Sequence, residues 1–498
     1  MTKGFTIEKA NNFIESNTEK LNKKYYPAYH FAAPIGWIND PNGFSMYKDE
    51  YHLFYQYYPY ESQWGPMHWG HAKSKDAIKW EHLDVALAPD EKYDQGGCFS
   101  GSAIEKDGKL YVMYTGHLPD ETDENLTRQN QNIAISNDGI TFEKYKNNPV
   151  LTEKDIPEGS SIVDYRDPKI FEKDDLYYCV IGSKTNDNKG QVLLYKSEDL
   201  LEWEYVSVFF PYNKFLGTMV ECPDFIQVGE KEYFVLSAMN YEDEKTGKFY
   251  NHISWLIEGE VDWNDFVFKM NTIQEMDNGV DFYAPQTVVT KDGPVVISWM
   301  QAWGKSFPTD EQTHGWAGQM TLPRKLENDG QRLKQKVIDS IESYKCNQMN
   351  EYDISINNQT IISQKPIQYL SMELEKNQLN DFKITFSNKT NEEIVLSYNH
   401  LEKSFYFSRE FTRVQITNEQ SKETVVSSKT IPYFGEKLNI ELFIDTSSME
   451  LFINDEVTMT NTFYLDEEFT EIVLESLEEI KIEKLSTANI DLNLEKDS

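Results

Sequence analysis

The chain has 498 residues, 83 of them acidic and 48 basic, for a formal net charge of −35, and 14% are aromatic. That acidity excludes nucleic acid as a partner, because phosphate backbones require a basic footprint. An anionic ligand would need a local cationic pocket, and no apolar run reaches the ~18 residues of a membrane-spanning helix, so no membrane partner is expected.

Residues 1–27 read as an N-terminal extension. Met1 to Lys24 is polar, alternates charges and lacks the apolar core of a secretory leader, which predicts a cytoplasmic protein.

Next comes the most informative segment, Trp37-Ile38-Asn39-Asp40-Pro41-Asn42-Gly43. Pro41 fixes its own φ and keeps Asp40 out of the α region, while Asn42-Gly43 favours a tight reversal, so the Asp40 carboxylate is presented on a rigid kink. Taken alone, the segment is equally a turn between two strands. Two more acids lie in similar surroundings, in Arg166-Asp167-Pro168 and Glu221-Cys222-Pro223.

An internal repeat offers a way to gather these acids. Lys73-Ser74-Lys75-Asp76 leads to Trp80-Glu81, Ile135-Ser136-Asn137-Asp138 to Phe142-Glu143, and Lys196-Ser197-Glu198-Asp199 to Trp203-Glu204, with aromatic positions 62 and 61 residues apart. Strand-type runs recur at Tyr51 to Tyr57, Leu110 to Tyr114, Leu176 to Ile181, Tyr233 to Leu236 and Val295 to Trp299. Five units of short strands predict an all-β fold with a five-bladed β-propeller over residues 28–330, in preference to a two-sheet sandwich with chance spacing. In a propeller the innermost strands converge on one channel, where Asp40, Asp167 and Glu221 would meet.

Residues 331–350 read as a linker. Residues 351–498 alternate apolar and polar positions, as in Phe382 to Phe386 and Leu438 to Ile444, and Asp445 to Asn454 reads as strand, turn, strand. They predict a C-terminal β-sandwich that buttresses the propeller or mediates homo-oligomerisation.

Cys98, Cys179, Cys222 and Cys346 show no Cys-x-x-Cys spacing, so reduced thiols are expected, with Cys222 a small buried filler. His68 and His71 have no third ligand at a recognisable spacing, and neither a metal nor another cofactor is expected.

Two carboxylates about 5 to 5.5 Å apart serve a retaining glycosidase, one as nucleophile and the other as acid and then base. A third acid could bind sugar hydroxyls, with Asn39, Gln56 and Arg166 as further polar partners and Trp37, Trp64, Phe99 and Trp303 as apolar walls.

These residues resemble the hallmark motifs of glycoside hydrolase family 32, the β-fructofuranosidases. The resemblance rests on Trp37 to Gly43, His68-Trp69-Gly70-His71-Ala72, Phe99-Ser100-Gly101-Ser102, Arg166-Asp167-Pro168, Glu221-Cys222-Pro223, Phe282-Tyr283-Ala284-Pro285-Gln286 and Gly315-Trp316-Ala317-Gly318, in the family's order. The run ending Met320-Thr321-Leu322-Pro323-Arg324 is most like the bacterial sucrose and sucrose-6-phosphate hydrolases. Tyr58 and Tyr165 depart from the family's usual residues, but neither is one of the acids.

The resemblance implies a propeller followed by a β-sandwich, and a small-molecule sugar as substrate. It makes Asp40 the nucleophile at the anomeric C2 of a β-fructosyl group, Glu221 the acid and base, and Asp167 the acceptor of ring hydroxyls, with Ser100 and Tyr283 joining the substrate-binding set. Those roles predict a Glu221 pKa raised by burial and nearby negative charge, beside an ionised Asp40. A fructan hydrolase, a fructosyltransferase and, more distantly, a non-catalytic sugar-binding propeller remain alternatives on the same fold. A cytoplasmic address favours sucrose or its 6-phosphate over polymeric fructans.

Overall fold

A computed structural model describes residues 4–120, 122–330, 332–374, 380–435 and 438–494. Position 331 and the outermost ends of the N- and C-terminal segments, 1–3 and 495–498, therefore lie outside the described residues.

Five sheets of mostly antiparallel strands succeed one another along the first two thirds of the chain. Their innermost strands are Gly36–Tyr47, Cys98–Lys106, Ser160–Lys173, Met219–Val228 and Tyr283–Thr290. Each of these packs against the innermost strand of the next blade, and the fifth packs against the first, so the ring is closed. Trp316 and Ala317, which follow two strands of blade five, pair in parallel with Gly36 and Trp37 and latch the last blade to the first.

The sequence repeat is a turn. Asp76 Oδ1 accepts from the backbone N–H of Ile78 and Lys79 at 3.1 and 3.0 Å, and Ser74 Oγ donates to it at 3.1 Å. Asp138 does the same with Ile140, Thr141 and Ser136, all at 2.8 Å, and Asp199 with Leu201, Glu202 and Ser197 at 2.8, 2.9 and 3.2 Å. Each carboxylate saturates the donors of a tight reversal between the third and fourth strands of its blade. The backbone donors hold Asp138 at a pKa of about 2, below the usual carboxylate range.

The aromatic content furnishes the packing between blades. Tyr47, Phe54 and Trp69 of blade one interlock with Leu110, Tyr114 and Phe142 of blade two. Val180 and Leu194 of blade three meet Phe234 and Trp255 of blade four.

The N-terminal extension contains a helix, Ile7–Asn17, capped by Thr6, whose side chain accepts from the Lys9 N–H at 3.2 Å. Ile7, Ala10 and Ile14 lie on one helical face and pack on the propeller. The segment expected as a linker, 331–350, holds the fourth strand of blade five, Leu333–Val337, a 3-10 turn at Asp339–Tyr344 and the start of strand Lys345–Ser363. The Leu333–Val337 alternation, with Leu333, Gln335 and Val337 buried, is that of a half-buried strand.

The C-terminal region is a β-sandwich with its own apolar core. Its long last strand, Glu471–Ile490, pairs with Phe382–Ser387 in its first half and with Tyr369–Leu374 in its second, linking the two layers. A buried ionic seam fastens sandwich to propeller. Arg324, 1% exposed, donates to Glu450 at 2.5 Å and to Asp277 at 2.9 Å. His30 bridges Asp445 at 2.8 Å and Glu450 at 3.0 Å. Asp281 is held by Lys305 at 2.8 Å and by Arg409.

Candidate active site

All five innermost strands break their ladders at one level. Register shifts fall between Ile38 and Pro41, Phe99 and Gly101, Arg166 and Lys169, Glu221 and Asp224, and Tyr283 and Gln286. A bulge re-aims the side chains it carries, and four of these five contain a proline that cannot donate to the ladder: Pro41, Pro168, Pro223 and Pro285. Asp167, Cys222 and Ala284, each directly before its proline, take φ of +64°, +47° and +52°. Such αL geometry is costly for non-glycine residues and clusters at functional sites.

Equivalent bulge positions on neighbouring blades touch. Ser100 Oγ donates to Asp40 Oδ2 at 2.7 Å. The Cys222 N–H donates to Asp167 Oδ2 at 2.9 Å, and its thiol lies 3.6 Å from Asp40 Oδ2 and 3.7 Å from Asp167 Oδ2. One residue earlier, Arg166 Nη2 and Nε donate to Glu221 Oε1 at 3.0 and 3.3 Å, and the Tyr283 hydroxyl donates to Glu221 Oε2 at 2.6 Å. Asp40, Asp167 and Glu221, far apart in sequence, thus share a single contact network on the axis.

Supporting groups fix this network. Trp37 Nε1 donates to Asn39 Oδ1 at 2.8 Å, and Asn39 Nδ2 donates to Asp40 Oδ1 at 3.0 Å. Arg166 Nη1 is held by Asp164 at 2.7 Å, which is paired with Lys184 at 2.7 Å. Trp303 stacks on Trp37 with centroids 6.1 Å apart, and Phe99 stacks on His117 at 4.2 Å. Trp64, 46% exposed, stands edge-on to Phe99 at the rim. Gln56 is spent within the protein, donating to the Cys98 carbonyl at 2.8 Å.

Below the acids the axis narrows to a water-sized cavity of about 10 Å³ beside Ser100, Asp167 and Cys222. Lys169 closes it, bonded to Asp224 at 2.8 Å and to the Thr287 carbonyl at 2.5 Å. A wider cavity of about 490 Å³ opens at the far end, lined by Phe44, Ile104 and Trp263, and touches none of the acids.

Burial, with Glu221 and Asp40 nearby, lifts the Asp167 pKa to about 7 despite Arg166. Burial also raises Asp40, moderated by the hydrogen bonds from Ser100 and Asn39. Glu221 goes the other way: burial favours its neutral form, but Arg166, His252 and Tyr283 outweigh it and hold the pKa below the usual value. The expectation of a raised Glu221 is therefore corrected for the unliganded site, where burial raises Asp167 and Asp40 instead. Arg166 reaches Glu221 from the neighbouring blade, a proximity that adjacency to Asp167 in sequence did not reveal.

The reading of Cys222 as filler is likewise corrected, since its backbone and thiol join Asp40 to Asp167. The sequence reading also passed over His252, whose ring stands edge-on to Tyr283 at 5.2 Å. His68 and His71 are core residues: His71 Nε2 bonds His52 Nδ1 at 3.0 Å and His68 Nδ1 bonds the Pro66 carbonyl at 3.0 Å. All four cysteines are free.

Comparisons with known proteins agree with this architecture. The family model for the glycosyl hydrolases family 32 N-terminal domain matches residues 30–337, and the family 32 C-terminal model matches residues 336–490. A sucrose-6-phosphate hydrolase of Escherichia coli is 35% identical over 94% of this chain and 95% of its own length. A raffinose invertase of the same organism is 33% identical over 91% and 93%. Among solved structures, a Bombyx mori GH32 beta-fructofuranosidase superposes with a TM-score of 0.83 at 31% identity, covering 97% of this chain and 98% of that one. The chain belongs to glycosyl hydrolase family 32.

Proposed function

We propose that the protein hydrolyses the terminal β-D-fructofuranosyl group of sucrose or sucrose-6-phosphate with retention of configuration, through a covalent fructosyl-enzyme intermediate. The carrying observation is that Asp40 and Asp167 share the Cys222 thiol while Glu221 faces the same axis, held by Arg166 and Tyr283. In this reading Asp40 attacks the anomeric C2, Glu221 protonates the departing glycosidic oxygen, and the same Glu221 then deprotonates the water that releases fructose. Ring hydroxyls donate to Asp167 and favour its anion, which frees the cluster's proton for Glu221. Trp37, Trp303 and Phe99 wall the sugar, Asn39, Ser100 and Arg166 orient the acids, and Trp64 bounds the rim.

The E. coli relatives carry the names sucrose-6-phosphate hydrolase and raffinose invertase, and a mutant of the Bombyx mori enzyme was solved in complex with sucrose. Those names support the substrate class. Four free thiols fit a reducing compartment, and we place the protein in the cytoplasm. No helix of the described residues is long and apolar enough to cross a membrane. The sandwich, fastened by Arg324 and Arg409, is read as a buttress, with homo-oligomerisation as its second use.

The test is to measure kcat/KM for sucrose, sucrose-6-phosphate, inulin and levan in parallel, together with Asp40→Asn. Preference for a long fructan would overturn the substrate. Activity of Asp40→Asn above about a thousandth of wild type would overturn the nucleophile.

A further inference from the structure

Four side chains of alternating charge run from blade three to the acid site. Lys184 Nζ lies 2.7 Å from Asp164 Oδ2, Arg166 Nη1 donates to Asp164 Oδ1 at 2.7 Å, and Arg166 Nη2 donates to Glu221 Oε1 at 3.0 Å. In that order the side chains are 24, 21, 12 and 15% exposed, so water and salt screen these contacts far less than they would at the surface.

Local structure sets the chain up. The blade-three ladder pairs Thr185 with Ser160 and Ser183 with Tyr165, so residues 161–164 bulge out of it. Ser161 Oγ accepts from the Val163 and Asp164 N–H groups at 3.2 and 3.3 Å, and this turn brings the Asp164 carboxylate against the Arg166 guanidinium. Lys184, on the paired strand Leu176–Thr185, takes the other oxygen of the same carboxylate.

Arg166 therefore binds two carboxylates by different edges, Nη1 on Asp164 and Nη2 with Nε on Glu221. Asp167 adds its charge to Arg166 without a hydrogen bond among the described residues. Glu221 has to be neutral to act as an acid and charged to act as a base. When it takes a proton, Arg166 loses the charge it grips, and a buried cation without a counter-ion is costly. Asp164 supplies that counter-ion throughout. Burial favours a neutral Asp164, yet Arg166 and Lys184 outweigh it and hold its pKa below the usual value.

We infer that Asp164 and Lys184 are positioning residues of the acid–base step. Asp164 keeps the guanidinium paired and fixed in both charge states of Glu221, so that Glu221 can hold the proton it gives to the leaving oxygen. Lys184 sets how much of the Asp164 charge Arg166 receives. The inference rests on the fructofuranosidase reading above, which makes Glu221 the acid. The other groups facing this chain are His252 and Tyr283 at Glu221, Asp40 and Asp167 on the axis, and His117 near Asp164.

The experiment measures kcat and KM against pH for wild type, Asp164→Asn and Lys184→Gln, after circular dichroism establishes that each is folded. Two substrates are used: sucrose, and an activated aryl β-fructofuranoside whose leaving group needs no acid. Asp164→Asn keeps an oxygen for Arg166 Nη1 and removes the charge. On sucrose its kcat/KM is expected to fall about tenfold, carried by kcat, while on the aryl substrate it stays within about threefold of wild type. The alkaline limb of the sucrose profile moves to lower pH in Asp164→Asn and to higher pH in Lys184→Gln, because the two variants remove opposite charges. A merely structural role would lower activity on both substrates alike and leave the limb in place. Equal losses on the two substrates, or limbs that stay put or move in the same direction, overturn the inference and leave the fructofuranosidase reading standing. If Asp164→Asn does not fold, the Lys184→Gln limb decides alone, an upward shift supporting the inference and any other result overturning it. A wild type that cleaves neither substrate overturns both.

Discussion

The Arg166 guanidinium grips Glu221 with two nitrogens, Nη2 at 3.0 Å and Nε at 3.3 Å from the same oxygen, Oε1. This contact crosses from blade three to blade four and keeps Glu221 ionised in the unliganded site. Arg166→Lys keeps a charge and loses the planar fork, so kcat/KM should fall by tenfold or more, and Arg166→Gln should cost about a hundredfold or more. Steady-state kinetics on sucrose checks both; an Arg166→Gln enzyme within threefold of wild type would contradict the role.

The pH dependence of kcat/KM reports the free enzyme. A productive cluster carries one proton among Asp40, Asp167 and Glu221, and the pKa of about 7 at Asp167 marks its loss. Activity should therefore decline as pH rises through about 7, and decline again at acid pH when a second proton neutralises Asp40. A profile flat from pH 6 to 9 would contradict this assignment.

Ser100 bonds Asp40 at 2.7 Å and lowers its affinity for protons. Ser100→Ala removes that support, so the Asp40 pKa rises further and the acid limb of the profile moves to higher pH. The accompanying loss in kcat/KM is expected to be about tenfold or more, the scale of one hydrogen bond to a charged group. An acid limb that stays in place or moves down would show that the bond does not tune Asp40.

Much of this site was legible in the sequence because its signals are local. The Ser-x-Asp turns at Asp76, Asp138 and Asp199 are satisfied by donors two and three residues away, so their spacing betrays the blades. Asp40 and Asp167 announce themselves through Pro41 and Pro168, which force the same bulge from within the strand. Relationships that cross from blade to blade were not legible. Nothing near Glu221 in sequence says that Arg166 and Tyr283 converge on it, which is why its protonation was expected the wrong way round. Cys222 looked like filler because its contacts with Asp40 and Asp167 exist only once three blades meet. The Ile7, Ala10 and Ile14 spacing of the N-terminal helix was readable, but charge alternation masked it.

The seam between propeller and sandwich makes stability pH-dependent. His30, fully buried between Asp445 and Glu450, titrates at about 9 in the folded protein, up from 6.5, because those hydrogen bonds outweigh its burial. A folded pKa above the unfolded one stabilises fully below about pH 6.5, and that contribution, up to about 3 kcal/mol, is lost as pH rises toward 9. Thermal melts from pH 6 to 9 should show this decline in wild type and a flatter curve in His30→Gln; parallel curves would contradict it.

Arg324 neutralises Asp277 and Glu450 in the same seam. Arg324→Met leaves the buried Asp277 without its cation and Glu450 with His30 alone, and should cost about 3 to 5 kcal/mol in chemical denaturation. A loss below about 1 kcal/mol would mean that the seam is not what fastens the two regions.

The central claim is a covalent bond between Asp40 and fructose, and peptide mass spectrometry of enzyme quenched during turnover tests it most directly. Glu221→Gln, supplied with an activated aryl β-fructofuranoside that needs no acid assistance to depart, should accumulate the intermediate because the base for its hydrolysis is gone. A fructosyl mass increment confined to the peptide containing Asp40, and absent from the Asp40→Asn, Glu221→Gln double variant, is the expected result. An adduct on another residue, or no adduct together with anomerically inverted fructose released by the wild type, would contradict it.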